Sequence, residues 1–312
     1  MVAPSLSLAV IGQANRAVVD RRFDDLGLRV TFGAHVLERD AFGSTSVSAR
    51  VEDLQAAFAD PAVDGVLSVI GGFNSNSLLP HLDWNLIRAH PKIFCGYSDI
   101  TALQAAMLAR GDLVTYSGPH WSSFGMERHF EYTLDAFTDC LFGDERLTIS
   151  AAKTWTDDEW YADQQNRHPM PNDGWWVLAE GEAEGRIIGG NLCTLNLLQG
   201  TAYFPSLAES VLFLEDDLES RPHHFDRNLV SLLQQPGFAG VRGLVIGRFQ
   251  RASGMTRELL DQLVRTKPEL RGLPVVANAD FGHTSPLITF PIGGDVELSA
   301  TAAGAVIRIV RH

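Results

Sequence analysis

The segment Phe94-Cys-Gly-Tyr-Ser98-Asp-Ile-Thr-Ala places a serine two residues after a glycine, where an apolar strand gives way to a helix. A tight strand-to-helix turn of this kind lifts a hydroxyl out at the carboxyl end of a sheet. The helix N-terminus behind it then faces developing negative charge. This is the layout of an acyl-transfer nucleophile. The second glycine of the hydrolase pattern is missing, and by itself the segment fits equally a helix capped by Ser98 or Asp99. Ile70-Gly71-Gly72-Phe-Asn-Ser-Asn76 is a second strand-to-glycine turn. Its paired glycines let backbone N–H groups approach a ligand, and beside Ser98 they would complete an oxyanion hole. A tight turn closed by asparagine side chains is the ordinary alternative.

The run Leu212-Phe-Leu-Glu215-Asp216-Asp-Leu-Glu219 ends a strand in acids, at the place where α/β sheets carry active sites. Nothing local separates one acid from the next, and a solvated acidic loop has the same composition. Among the ten histidines, His283 stands in Ala277-Asn-Ala-Asp-Phe-Gly-His283-Thr-Ser-Pro, a loop just past an apolar strand, where a serine hydrolase can hold its base. His120 reads as a packed side chain beside a pocket, and His223-His224 as solvated loop. Cys95, inside the strand before Ser98, reads as core rather than nucleophile.

These residues need strands and helices to position them. Strand-like runs at 6–11, 65–70, 92–95 and 113–116 alternate with helical spacing at 51–58, 84–89 and 101–110. The alternation predicts an α/β class with a parallel, Rossmann-like sheet in an N-terminal domain, residues 1–150. From 151 to 174 the pattern fails; Trp155, Trp160, Tyr161 and two prolines mark a long ordered loop. Strand-like runs then recur at 211–214, 243–246 and 273–277, with helices at 226–233 and 256–266. A closing hairpin at 295–300 and 304–310 completes a smaller, mixed α/β C-terminal domain, residues 175–312.

The chain has 312 residues, 45% of them hydrophobic, and a formal charge of −13. So acidic a chain has no general electrostatic attraction for nucleic acid or anionic membranes. Three scattered cysteines give neither a disulfide framework nor a zinc site. No window approaches 18 unbroken apolar residues, and the N-terminus lacks the basic region of a signal peptide. A cytoplasmic location follows as the expectation.

Five segments in order decide between the readings of each one. Gly71-Gly-Phe-Asn-Ser-Asn-Ser-Leu-Leu-Pro80, Gly96-Tyr-Ser-Asp-Ile-Thr101, Gly185-Arg-Ile-Ile-Gly-Gly-Asn-Leu192, Leu212-Phe-Leu-Glu-Asp216 and Asn278-Ala-Asp-Phe-Gly-His283 together resemble the LD-carboxypeptidase family of serine peptidases. Within it they look most like the microcin C immunity branch. The resemblance implies a Ser98-Glu215-His283 triad. The 68 residues between Glu215 and His283 match the family and favour Glu215 over Asp216, Asp217 and Glu219. It implies an oxyanion hole from the N–H of Asp99 with that of Gly71 or Gly72. It also implies substrate contacts at Asn191 and in the aromatic loop, where Trp160 is the best candidate to stack on a nucleobase and Trp175 stands at the loop's end. The branch carries a lysine shortly after its glutamate. Here the stretch reads Asp216-Asp-Leu-Glu219-Ser-Arg221, which leaves Arg221 as the substitute cation.

The function expected from this resemblance is a serine carboxypeptidase that cuts a terminal amide in a peptidyl- or aminoacyl-nucleotide of the microcin C type. It would need no metal or organic cofactor, would take a small substrate, and would form a homodimer. The second reading is an LD-carboxypeptidase that removes terminal D-alanine from murein tetrapeptide. A third, of another class, is an inactive two-domain binding module; the intact Ser, Glu and His argue against it.

Overall fold

The computed structural model describes residues 1–143 and 146–312. Its framework is two mixed sheets. The first runs in the order Gly65–Leu67, Ile93–Gly96, Thr115–Ser117, Phe290–Ile292. Its first three strands are parallel and the last is antiparallel. The second has eight strands, in the order Leu147–Ile149, Gly304–Arg311, Asp295–Thr301, Gly181–Asn191, Ser210–Glu215, Val241–Gly247, Val275–Ala279, Trp176–Ala179. The run from Gly181–Asn191 to Val275–Ala279 is parallel, and the flanking strands are antiparallel. This is the α/β arrangement that alternating strands and helices predict, and the larger sheet lies in the C-terminal half. Sheet membership crosses the boundaries expected at 150 and 175. Leu147–Ile149 pairs with Gly304–Arg311, and Phe290–Ile292 returns to pair with Thr115–Ser117.

Helix Thr101–Gly111 packs against strands of both sheets. Ala102, Leu103, Ala105, Ala106 and Met107 are all buried, as they must be in a helix with core on every side. Buried Gln104 donates to the carbonyls of Gly96 (2.9 Å) and Tyr116 (2.6 Å), which an apolar residue would leave bare. Gly190, at φ +112°, lets the second sheet approach: a Cβ there would fall 2.4 Å from Thr101 Oγ1.

Two expectations need correction. Residues 6–11 are not a strand. Ser7 accepts a hydrogen bond from the Ala9 amide and caps a 3₁₀ turn, Leu8–Val10, so only Val2 joins the first sheet, through a single bridge to Ser68. His223 and His224 are not loop but the first turn of helix Pro222–Leu233, opened by Pro222, whose fixed φ suits that position. Two further helices, Gln13–Asp25 and Glu131–Phe142, bring Val19, Phe23 and Phe137 into a core cluster with Leu67 and Val69 of the first-sheet segment.

The consequence for function is directional. Ser98 follows strand Ile93–Gly96, Gly71 follows Gly65–Leu67, Glu215 ends Ser210–Glu215, and His283 follows Val275–Ala279. The carboxyl ends of parallel strands from both sheets thus meet at one cleft, the place where open α/β sheets bind ligands.

Candidate active site

Ser98 has φ +61°, in the left-handed region that non-glycine residues avoid. Such backbone costs about 1–3 kcal/mol and persists only where its surroundings enforce it. Here Asp99 does the enforcing. Its buried Oδ2 accepts from Ser5 Oγ (2.6 Å) and from the amides of Asn74 (3.1 Å) and Ser75 (2.9 Å). Its carbonyl accepts from Ser75 Oγ at 2.6 Å. The Ser-Asp pair and the Gly-Gly-Phe-Asn-Ser turn are therefore one hydrogen-bonded unit. Removing the carboxylate strands three donors, at about 1–3 kcal/mol for each that stays dry. The same unit seats Gly71 against the serine; a Cβ there would lie 3.1 Å from Ser98 Cβ. Neither Gly71 nor Gly72 donates its amide to another described residue.

The Ser98 hydroxyl lies 3.0 Å from His283 Nε2, and His283 Nδ1 lies 2.8 Å from Glu215 Oε2. The carboxylate can only accept, so Nδ1 carries the ring proton and Nε2 is left to accept from the serine. Glu215 is buried, and Gly282 leaves room for it: a Cβ on Gly282 would fall 3.0 Å from Oε2. Burial works against the imidazolium of His283, but the charge and hydrogen bond of Glu215, with Asp217 and Asp216 adding, outweigh it and raise its pKa above the usual 6.5. Burial, then the charge of Glu215, lifts Asp216 to about 7, so near neutrality Glu215 does not face a second full charge next door. Burial pushes the Cys95 thiol well up, which leaves it inert.

The cleft around Ser98 has a volume of about 500 Å³. Gly71, Gly72, His120 and His283 line it, with the aromatic rings of Phe73, Phe130, Trp160 and Tyr161. The aromatic loop is tied to the His283 loop at several points. Thr156 and Ser285 exchange two backbone hydrogen bonds of 2.8 Å. Asp157 pairs with Arg251. A buried Arg248–Asp280 ion pair (2.8 Å) lies under Trp155 and three residues before His283.

The N-terminal domain of the LD-carboxypeptidase family matches residues 1–118, and its C-terminal domain matches residues 184–298. The chain belongs to the LD-carboxypeptidase family of serine peptidases. YocD of Bacillus subtilis is 47% identical over 312 residues, 100% of this chain and 96% of that one. The crystal structure of an MccF-like protein from Bacillus anthracis superposes with a TM-score of 0.98 at 48% identity, covering 100% of this chain and 95% of that one. The microcin C7 self-immunity protein MccF in complex with aspartyl sulfamoyl adenosine superposes with a TM-score of 0.86 at 26% identity, covering 99% and 94%. Serine-type carboxypeptidase chemistry is the family's common ground.

In this member of the LD-carboxypeptidase family the expected site residues divide. Ser98, Glu215, His283, Gly71, Gly72, Asp99 and Trp160 gather at or directly behind the cleft. Three others do not line it. Trp175 donates its indole N–H to Asp280 Oδ2 at 2.9 Å and faces a separate hollow with Arg257 and Thr301, so it anchors the loop's end instead of reaching the cleft. Arg221 precedes helix Pro222–Leu233, is exposed, and donates to the carbonyl of Ala252. Asn191 is buried; its Oδ1 caps helix Leu192–Asn196 by accepting from the Thr194 amide (3.0 Å), and its Nδ2 lies 3.4 Å from Asp216 Oδ1. Among the described residues no Lys or Arg lines the cleft, Arg221 included. The sequence reads His120 as a packed side chain, yet it lines the cleft. The signal available was its position just past a strand end, after Gly118-Pro119.

Proposed function

We propose that Ser98, His283 and Glu215 form the catalytic triad of a carboxypeptidase that hydrolyses a terminal amide. The observation that carries this reading is the unbroken hydrogen-bond chain from a serine held at φ +61° to a buried carboxylate. Ser98 Oγ attacks the amide carbonyl while His283 Nε2 takes its proton. The amides of Asp99 and of Gly71 or Gly72 hold the oxyanion. Collapse expels the amine with the proton from His283, and water, activated by the same imidazole, clears the acyl-enzyme.

For the substrate we favour an aminoacyl- or peptidyl-nucleotide. Phe73, Trp160 and Tyr161 offer flat apolar faces at the cleft, and MccF, of similar fold, binds an aspartyl sulfamoyl nucleoside. Asp157 and Asp158 have partners in Arg251 and Arg167, but Glu159, Asp217 and Glu219 add negative charge to the lining. We therefore assign a neutral or basic amino acid to the nucleotide in place of aspartate. The same acids favour the second reading, a murein tetrapeptide, whose diaminopimelate brings an ammonium group. Offering the purified protein both an aminoacyl sulfamoyl adenosine and a murein tetrapeptide, and measuring which is cut, separates the two.

Trp160→Ala sharpens the choice. Stacking a base on one aromatic ring is worth about 1–3 kcal/mol, roughly tenfold or more in affinity. The variant is expected to weaken the adenosine substrate by that factor and a peptide with the same acyl group far less. Equal losses on the two would remove the nucleotide reading. A cytoplasmic homodimer belongs to the same proposal; light scattering at micromolar protein checks the assembly, and a monomer contradicts it.

A further inference from the structure

His120 is 2% exposed, yet it lines the cleft beside Ser98. Its Nδ1 lies 2.7 Å from Ser68 Oγ. That hydroxyl has one proton and two acceptors near it, Nδ1 at 2.7 Å and the Cys95 carbonyl at 3.4 Å. In the tautomer with Ser68 Oγ donating across the shorter contact, Nδ1 accepts and the ring proton sits on Nε2. Nε2 has no partner among the described residues. A buried N–H left in that state costs about 1–3 kcal/mol, a cost that a bound ligand oxygen would remove.

The position of Nε2 identifies that oxygen. A Cβ built on Gly71 would lie 3.3 Å from His120 Nε2 and also 3.3 Å from Ser98 Oγ. The hydroxyl and the imidazole thus border one point of space beside Gly71. The ring is also held rigidly. It stacks on Tyr97 at 4.3 Å and 27°, and Tyr97 in turn meets His283 at 5.4 Å.

We propose that His120 is a catalytic residue whose Nε2–H donates a further hydrogen bond to the oxyanion formed at Ser98. The inference rests on the triad reading above. When Oγ bonds to the carbonyl carbon, the carbonyl π pair moves onto oxygen and the serine proton goes to His283. His120 gives up no proton; it stabilises the new charge and releases it when the C–N bond breaks. Burial, then the nearby charge of His283, hold the pKa of His120 down to about 3, so it stays neutral while His283 becomes cationic. A neutral imidazole donor preorganised at a developing oxyanion acts where electrostatic stabilisation contributes most.

Two polar variants divide the ring's roles. Gln carries a terminal amide near the place of Nε2, whereas Asn carries one near the place of Nδ1 and keeps only the Ser68 side. The readout is the second-order rate at which an alkyl fluorophosphonate labels Ser98, since its P=O oxygen occupies the oxyanion position. His120→Asn is expected to slow labelling about 10²-fold or more, and His120→Gln to retain most of the rate, with melting curves confirming that both fold. An unchanged rate in His120→Asn, or a slower His120→Gln than His120→Asn, overturns the proposal and leaves the ring as a prop for Ser68. If His120→Asn does not fold, His120→Gln decides alone: a tenfold loss or more overturns it. Ser98→Ala must abolish labelling. A wild-type protein that is not labelled, or is labelled elsewhere, defeats the triad reading itself, which separates the two failures.

Discussion

Ser98→Ala is expected to remove turnover almost completely, by roughly 10⁶-fold in kcat, as removal of the serine does in other triads, while the protein stays folded. The hydroxyl has one described protein partner, His283 Nε2 at 3.0 Å, so its loss strands no other described group. The strained backbone at φ +61° is enforced by the Asp99 hydrogen bonds, which do not involve the Ser98 side chain. Melting temperature and kcat measured on the same preparation check both halves. Retained activity would require a different nucleophile, and Cys95 is a poor one: it is fully buried in its strand and its thiol is pushed far up by burial.

The second large effect separates neighbouring acids. Glu215→Gln is expected to lower kcat by about 10⁴-fold, the loss seen when a triad carboxylate becomes an amide and the histidine tautomer is no longer held. Asp217→Asn is expected to change it little, because only Glu215 reaches His283 Nδ1. The pH profile gives an independent reading. His283 must be neutral to accept the serine proton, and its pKa is raised, so kcat/KM of the wild type falls on the acid side through a value above 6.5. In Glu215→Gln the raising charge is gone while burial, which lowers the pKa, remains. The acid limb of the residual activity should therefore move to lower pH. If Asp217→Asn is the more damaging, or the limb moves upward in Glu215→Gln, the assignment of the acid is wrong.

Why some of this was legible in the sequence follows from the range of the interactions. Ser98 announces itself because a strand, a glycine and a helix start are local patterns. Gly71-Gly72 and His283 do so for the same reason, each just past an apolar strand. Glu215 was not distinguishable from its neighbours by local pattern. What singles it out is sheet geometry: it sits opposite Asn191 at the end of its strand, and Gly247 and Gly282 clear its path to His283. His120 reads as packing because the groups it meets, Ser68 and Gly71, are both distant in sequence. The resemblance implies substrate contacts for Trp175 and Arg221. Each meets a partner that no motif reveals, Asp280 for the first and the Ala252 carbonyl for the second. The apolar run 6–11 looked like a strand because hydrophobic periodicity cannot see a serine hydroxyl capping a 3₁₀ turn.

The measurement that bears most directly on the central claim is to map the covalent adduct of an alkyl fluorophosphonate by peptide mass spectrometry. An activated serine in a triad predicts one adduct per chain, on Ser98, absent from Ser98→Ala and formed far more slowly in His283→Ala. An adduct on another residue, or a Ser98 adduct that forms equally fast without His283, would contradict a Ser98-His283-Glu215 triad.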